Sequence, residues 1–298
     1  MGEHEGSWFN LWVTEQAMTD EELLAAVSPA SLAAWTDLFA MPVWSSPGIA
    51  TRSDSSAFIE HAYDLGLVVS FDWPAWYSPQ RFPAGLGLDL APVADAVRLI
   101  TSLVRGERFS DGAVLDGITD GSIPAAIDKL WSWYRQTIAG GSPFVDHAEY
   151  SEDRIYRWSY ERRWAPGASL CWVGLNPGTG DTDDGRRPTL GRVVSWAKRE
   201  QCAAVSVVNL FSFRSTDPDA LRSAEVDIVG HRTDGVITAA SQRARITLAA
   251  WGGNKAIGTR SQRVMHLLCD PVCAGTTKSG EPRHPLYVAE ATPLVPYR

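Results

Sequence analysis

Residues 169–178 read SLCWVGLNPG: an unbroken apolar run that stops at Gly174-Leu175-Asn176-Pro177-Gly178. The run has strand length, and its lack of apolar–polar alternation fits a strand buried on both faces. The Asn-Pro-Gly tail marks a sharp turn. The same grammar recurs outward from it. AAVSVVNLF (203–211), ITLAAWG (246–252) and PVCAGTT (271–277) are further short apolar runs. Between them lie the amphipathic segments RVVSWAKRE (192–200), DIVGHRTDGVITAASQRA (227–244) and SQRVMHLLCD (261–270). Strands alternating with helical segments predict an α/β domain over 141–298, a three-layer α/β/α arrangement around a central parallel sheet of about four strands.

Upstream the pattern is helical. TDEELLAAVSPASLAAWTDLFA (19–40) opens on Thr19 or Asp20 as cap, with acidic residues at the helix start. SSAFIEHAYDLGLVVSF (55–71), DLAPVADAVRLITSLVRGERF (89–109) and SIPAAIDKLWSWYRQ (122–136) continue it, separated by Pro/Gly-rich segments. A small α-helical domain is expected over 1–140, holding eight of the thirteen tryptophans as packing residues. TIAGGSPFVDHAEY (137–150) has linker composition, which places the boundary near 140.

The chain has 298 residues, 45% hydrophobic and 21% charged, which excludes a disordered, collagenous or coiled-coil protein. No run approaches the ~18 apolar residues of a membrane span, and the first twenty residues lack signal-peptide order, so the reading is cytoplasmic, with no membrane partner. The four cysteines are scattered and read as buried thiols, with neither a disulfide framework nor a zinc site. The net charge of -8 hides a division. Residues 1–140 carry 7 Lys+Arg against 18 Asp+Glu, a net of -11; residues 141–298 carry 20 against 17, a net of +3. An acidic helical half argues against DNA clamping and leaves a protein partner or dimerisation as its role, while a local basic surface on the other half can still face phosphate.

In open parallel sheets ligands collect beyond the carboxyl ends of the strands. Those ends carry Gly174 to Gly178, Asn209 with Phe211 and Phe213, Trp251-Gly252-Gly253, and Lys278 followed by Arg283-His284-Pro285. They supply two carboxamides, an imidazole, flat aromatic surfaces and close backbone approach. No metal or cofactor is called for.

GLNPG after a strand resembles the first catalytic motif of the uracil-DNA glycosylase superfamily, particularly its mismatch-specific thymine/uracil branch. RHP (283–285) is similar to the second motif, and VVNL and AAWGGNKA stand where that superfamily has a base-reading Asn and a Trp-Gly strand end. The segments GLNPGTGDTDD, NLFSFRSTDP and TTKSGEPRHPLY resemble an uncharacterised bacterial domain family, a divergent member. The resemblance spans about 150–298. It implies a DNA glycosylase that flips a pyrimidine out of the helix and hydrolyses its N-glycosidic bond, leaving an abasic site.

By that resemblance Asn176 positions the attacking water and His284 donates to the departing base, an electrostatic role of the oxyanion type. Asp184, with Asp181 and Asp183, is the alternative water activator. Gly174, Leu175, Pro177, Gly178, Asn209, Phe211 and Trp251 would bind the base, although the last two read by default as core. Lys278, Arg283 and Leu286 would face DNA, as would some of Arg154, Arg157, Arg162 and Arg163. Two departures stand out. Leu286-Tyr287 replaces the superfamily's Ser-Pro, and Gly178 replaces a tyrosine that crowds the base's C5 position. Space there suits a bulky 5-substituted pyrimidine, such as a hydroxymethylated or glycosylated cytosine of phage DNA, with antiviral defence as the corresponding role. Two other readings remain: a module that binds nucleic acid or nucleotide without cleaving it, and a nucleotide hydrolase using the Asp181/Asp183/Asp184 loop.

Overall fold

The computed structural model describes residues 19–27, 30, 32–178, 188–217 and 220–298. The chain forms two compact units that a single cut does not separate. The first comprises residues up to 39 and 46–134, the second 40–45 and 135–298. Residues 40–45 join the second unit partly through Ser45, whose Oγ accepts the Ala168 amide at 2.9 Å. Among the described residues no helix is long and apolar enough to cross a membrane.

The first unit is helical: α1 (Asp20–Val27), α2 (Leu32–Ala40), α3 (Arg52–Asp64), α4 (Trp73–Trp76), α5 (Val93–Gly106), α6 (Ala113–Thr119) and α7 (Ser122–Thr137). Thr19 caps α1, its Oγ1 taking the Glu22 amide while Glu22 reaches back to the Thr19 N–H. Thr51 and Asp54 form the same box on α3. That helix ends at Asp64, short of the expected stretch, because Gly66 (φ +70°) turns the chain left-handed. α5 is buried nearly all round. Its Thr101 hydroxyl donates to Leu67 O at 2.8 Å and accepts from Val69 N at 3.2 Å, and its Ser102 hydroxyl donates to Arg98 O at 2.8 Å, so both buried hydroxyls in the middle of that helix are satisfied. Trp35 and Trp131 pack in the core with Phe39 and Tyr134, ring centroids 5.0 to 6.3 Å apart.

The second unit is α/β. Its strands are β1 (Val145–Tyr150), β2 (Arg157–Arg163), β3 (Ser169–Gly174), β4 (Ala204–Asn209), β5 (Ile246–Ala249), β6 (Val272–Cys273) and β7 (Val295–Pro296). The helices are α8 (Pro188–Arg199), α9 (Ala220–Ser223), α10 (Thr233–Arg243) and α11 (Arg260–Met265). They form one seven-stranded sheet in the order β1-β2-β4-β3-β5-β6-β7. The expected count of about four strands is therefore corrected. The parallel set β4-β3-β5-β6 is extended by antiparallel β1 and β2 on one edge and β7 on the other. β1 also occupies the second half of the expected linker, leaving 138–144 between α7 and the sheet.

Period-two alternation sorts the strand residues. Leu170, Val205, Val207 and Leu248 pack with Leu190, Val193 and Trp196 of α8 on one face. Cys171, Val173, Val208 and Ala249 pack with Ile237 and Ala240 of α10 and Val264 of α11 on the other. Because α8 leaves β3 over one face and α10 follows β4 over the opposite one, a crevice opens at the carboxyl ends of these adjacent strands.

Candidate functional site

That crevice is a cavity of about 810 Å³. β3 and its extension give it Trp172, Gly174, Leu175, Asn176 and Gly178; β4 gives Val207 and Asn209; the end of β5 gives Trp251, Gly252, Gly253 and Asn254. His284, Leu286 and Tyr287 enter from the C-terminal loop, Thr189 and Leu190 from the first turn of α8, and Arg157 and Tyr160 from β2. The volume lies within the roughly 300–1,000 Å³ usual for small-molecule sites.

Asn176 is held by the segment after β4. Its Nδ2 donates to Ser215 O at 2.9 Å and to Pro177 O at 3.2 Å, and the Ser215 amide returns a bond to Pro177 O at 3.0 Å. With the nitrogen committed, Oδ1 is the carboxamide's remaining hydrogen-bonding atom, an acceptor for a ligand or water proton. Asn209, 4% exposed, sits against Gly174. A Cβ on Gly174 would come within 2.8 Å of Asn209 Oδ1, so a glycine is what lets the carboxamide lie there. Among the described residues Asn209 Nδ2 has no acceptor, and neither has the buried indole N–H of Trp172. Orphaned buried donors cost about 1–3 kcal/mol each, which makes their place in a cavity wall informative.

His284 caps the short 3₁₀ turn Pro285–Tyr287, its Nδ1 accepting the Leu286 amide at 3.3 Å. Nδ1 is therefore the unprotonated nitrogen and Nε2 carries the proton. Burial pushes the imidazole below its ordinary value, which keeps it neutral near pH 7. The turn is brought to the strand ends by Gly252 (φ +79°), where a Cβ would crowd His284 Cβ at 3.2 Å, and by the Gly252 N–H bonding Pro282 O at 2.9 Å. Trp251 is a core residue as well as part of the wall. It is 1% exposed, and its Nε1 donates at 2.6 Å to Glu281, which also takes the Ser261 hydroxyl at 2.9 Å, tying the His loop down.

Other expected residues fall elsewhere. Phe211 is a correction: it is 3% exposed within the opposite core cluster and lines a different cavity, while Phe213 bridges to Tyr156. The aromatic surfaces of the site come instead from Tyr160, Trp172 and Tyr287. Pro177 is buried and does not line the cavity. Lys278 and Arg283 are exposed outside it, Lys278 on a turn whose Thr277 lies 3.6 Å from where a Cβ on Gly253 would sit. Leu286, 43% exposed, is at the cavity. Asp181, Asp183 and Asp184 lie outside the described residues. Three of the four arginines expected to meet phosphate are engaged in the fold. Arg162 forms a two-point pair with Asp146, Arg163 is buried against Glu161 and the carbonyls of Ala165 and Gly167, and Arg154 covers the Tyr150 ring. Arg157, 5% exposed, lines the cavity with its guanidinium over Tyr160. Cys269 is exposed, against expectation; Cys171, Cys202 and Cys273 are buried, and burial pushes the Cys171 thiol up to about 12. Among the described residues no three His, Cys, Asp or Glu side chains are grouped to hold a metal ion.

Fold and site together define an α/β domain with a carboxamide- and imidazole-lined cavity at its strand ends. Residues 157–286 are similar to a family described as a protein of unknown function (DUF1643), a span that takes in every cavity residue except Tyr287. Residues 40–136 are similar to a family of unknown function (DUF6508). No curated protein and no solved structure matches the chain.

Proposed function

We propose that the second unit is a DNA glycosylase of the uracil-DNA glycosylase type, excising a flipped-out, 5-substituted pyrimidine and leaving an abasic site. The observation that carries this reading is the convergence in one cavity of Asn176, Asn209 and a neutral, Nε2-protonated His284. Breaking an N-glycosidic bond through an oxocarbenium-like sugar needs an oriented water more than a strong nucleophile, and negative charge gathers on the departing base. Asn176 Oδ1 suits the first need. A neutral imidazole donating through Nε2 suits the second, because the hydrogen bond strengthens as the base becomes anionic. Asn209 offers a carboxamide to the base's polar edge, and a ligand acceptor would recover the cost of its orphaned N–H. The ring faces of Trp172 and Tyr287 suit stacking of an extruded base.

Gly178 supports the substrate class. It lines the cavity, and among the described residues a Cβ there would meet nothing within 4 Å. Open space at this position accommodates a large C5 substituent such as a hydroxymethyl or glycosyl group, the kind carried by modified phage cytosines, and a defence role goes with that substrate. Lys278 and Arg283 are exposed cations that would meet DNA phosphates in this reading.

The test is excision from duplex and single-stranded DNA carrying uracil, mismatched thymine, 5-hydroxymethylcytosine or its glucosylated form, read as strand scission after heating in alkali. Asn176→Ala and His284→Ala are each expected to lower the single-turnover rate by about 10²-fold or more with the fold intact. Tight binding to modified DNA with no scission of any base would establish the binding module instead.

A further inference from the structure

We propose that Arg192 is the positioning residue for His284, holding the turn that sets which imidazole nitrogen carries the proton; this rests on the glycosylase reading for its catalytic consequence. Arg192 stands on α8, one turn after Thr189 and Leu190, which line the cavity. Its Nη1 donates to Pro285 O at 3.1 Å, to Leu286 O at 3.3 Å and to Val288 O. The turn's own bonds take His284 O and Pro285 O, and among the described residues no backbone N–H reaches Leu286 O or Val288 O, so those two carbonyls need an outside donor, and a cation beside them is favoured. The same face of α8 repeats the device further along the chain. Trp196 Nε1 donates to Glu290 O at 2.6 Å, and Arg199 donates to Glu290 O at 3.1 Å and to Thr292 O at 3.2 Å.

The Leu286 amide that faces His284 Nδ1 belongs to this turn, which is otherwise closed by Tyr287 N to His284 O at 3.0 Å and Val288 N to Pro285 O at 3.2 Å. With the turn held, Nδ1 is an acceptor and the proton sits on Nε2. With it loosened, Nδ1 loses its partner, both tautomers populate, and fewer molecules present the Nε2 proton. Among the described residues, the ionisable or charged groups around the imidazole are Arg192 from α8, Arg157 and Tyr160 across the cavity, Tyr287 with its ring centroid 6.1 Å away, and Arg283, whose Nε is taken by Thr276 O at 3.0 Å.

The experiment uses the full chain with Arg192→Met, Arg192→Gln and Arg192→Lys. Nitrogen-15 NMR of the histidine rings, with His284 assigned by its loss in His284→Gln, reads tautomer and titration without any substrate. In the wild type His284 is expected as the Nε2–H form, titrating below the ordinary imidazole value. In Arg192→Met and Arg192→Gln the Nδ1–H form should appear and the midpoint rise. Excision should fall about 10–100-fold in kcat with KM within about twofold, the size usual for removing a group that orients a functional imidazole. The lysine variant, which keeps a donor and the charge, should recover at least part of both. The glutamine variant decides the matter if Arg192→Met does not fold. An unchanged tautomer and midpoint in Arg192→Gln, or in Arg192→Met where it folds, would overturn the proposal. A shifted tautomer in a protein that excises no base would sustain the positioning role and refute the glycosylase reading alone.

Discussion

Replacing Gly174 by alanine adds one methyl group at the most crowded point of the site. Its Cβ would lie 2.8 Å from Asn209 Oδ1, and 3.6 Å from Trp172 Cε2 and Nε1. The backbone gives little freedom to retreat, because Gly174 O is bonded by Leu210 N at 2.9 Å and the strand is paired on both sides. The carboxamide has to move instead, and at 4% exposure it moves into packed neighbours. Overpacking of this kind costs about 1–3 kcal/mol. For a unit of this size that is a fall in Tm of roughly 2–12 °C. On the proposed reading, turning Asn209 away also removes its hydrogen bonds to the base, each worth about 0.5–1.5 kcal/mol, so kcat/KM on the best substrate should fall by about 10–100-fold. A double-mutant cycle isolates the clash. In an Asn209→Ala background the offending atom is gone, so Gly174→Ala should cost less than about 0.5 kcal/mol there, giving a coupling of at least roughly 0.5 kcal/mol. The assay is thermal melting of the four proteins with single-turnover excision by the two that keep Asn209. Additive melting changes, or a Gly174→Ala enzyme with wild-type Tm and rate, would refute the claim that Gly174 exists to seat Asn209.

Gly178→Tyr should leave Tm within about 1 °C, since among the described residues a Cβ there meets nothing within 4 Å, while lowering excision of the bulkiest 5-substituted base at least tenfold relative to uracil; unchanged selectivity would remove the roomy-cavity argument. Excision should be flat from pH 8 to about the ordinary imidazole value and fall only below it, because His284 must be neutral and burial lowers its pKa; protonation also puts a proton on Nδ1 against the Leu286 N–H. A pH–rate profile whose acid limb vanishes in His284→Ala checks this assignment. Lys278→Glu with Arg283→Glu should weaken DNA binding and reduce the slope of log affinity against log salt by about 1–2, measured by fluorescence anisotropy; an unaltered slope would put the DNA on another face.

The four parallel strands were legible because each is buried on both faces and so leaves an uninterrupted apolar run, and the residues just after them were legible because a parallel sheet places its ligands there. β1 and β2 were not. Their sequences, VDHAEY and RWSYERR, are rich in charge, and such runs usually read as a solvated face. Here the charge is compensated by pairing: Arg162 meets Asp146 across the strands, sixteen positions away, and Arg163 meets Glu161 and two carbonyls. Nothing local in sequence says which carboxylate an arginine will find, so neither the strand nor the placement of Arg157 and Tyr160 in the cavity wall could be read from it. Arg192 escaped for a related reason. Its partners are backbone carbonyls more than ninety positions away, and a carbonyl carries no residue signature.

Phe211 shows where parity arguments expire. Leu170, Trp172 and Gly174 share one face of β3, as Val205, Val207 and Asn209 share one face of β4, and by period two Phe211 belongs beside Asn209 in the cavity. The ladder, however, stops at Asn209. Leu210 N bonds Gly174 O and the very next amide, Phe211 N, bonds Leu175 O. Within a strand, successive N–H groups point to opposite neighbours, so two consecutive amides reaching the same neighbouring segment mean that the backbone has rotated between them. That rotation carries the Phe211 ring through to the opposite core, where it packs with Leu221 and Ile257, and it leaves Asn209 as the last side chain of β4 to face the cavity. The end of the hydrogen-bond ladder, which composition and periodicity do not mark, therefore decides which of two neighbouring candidates lines the cavity.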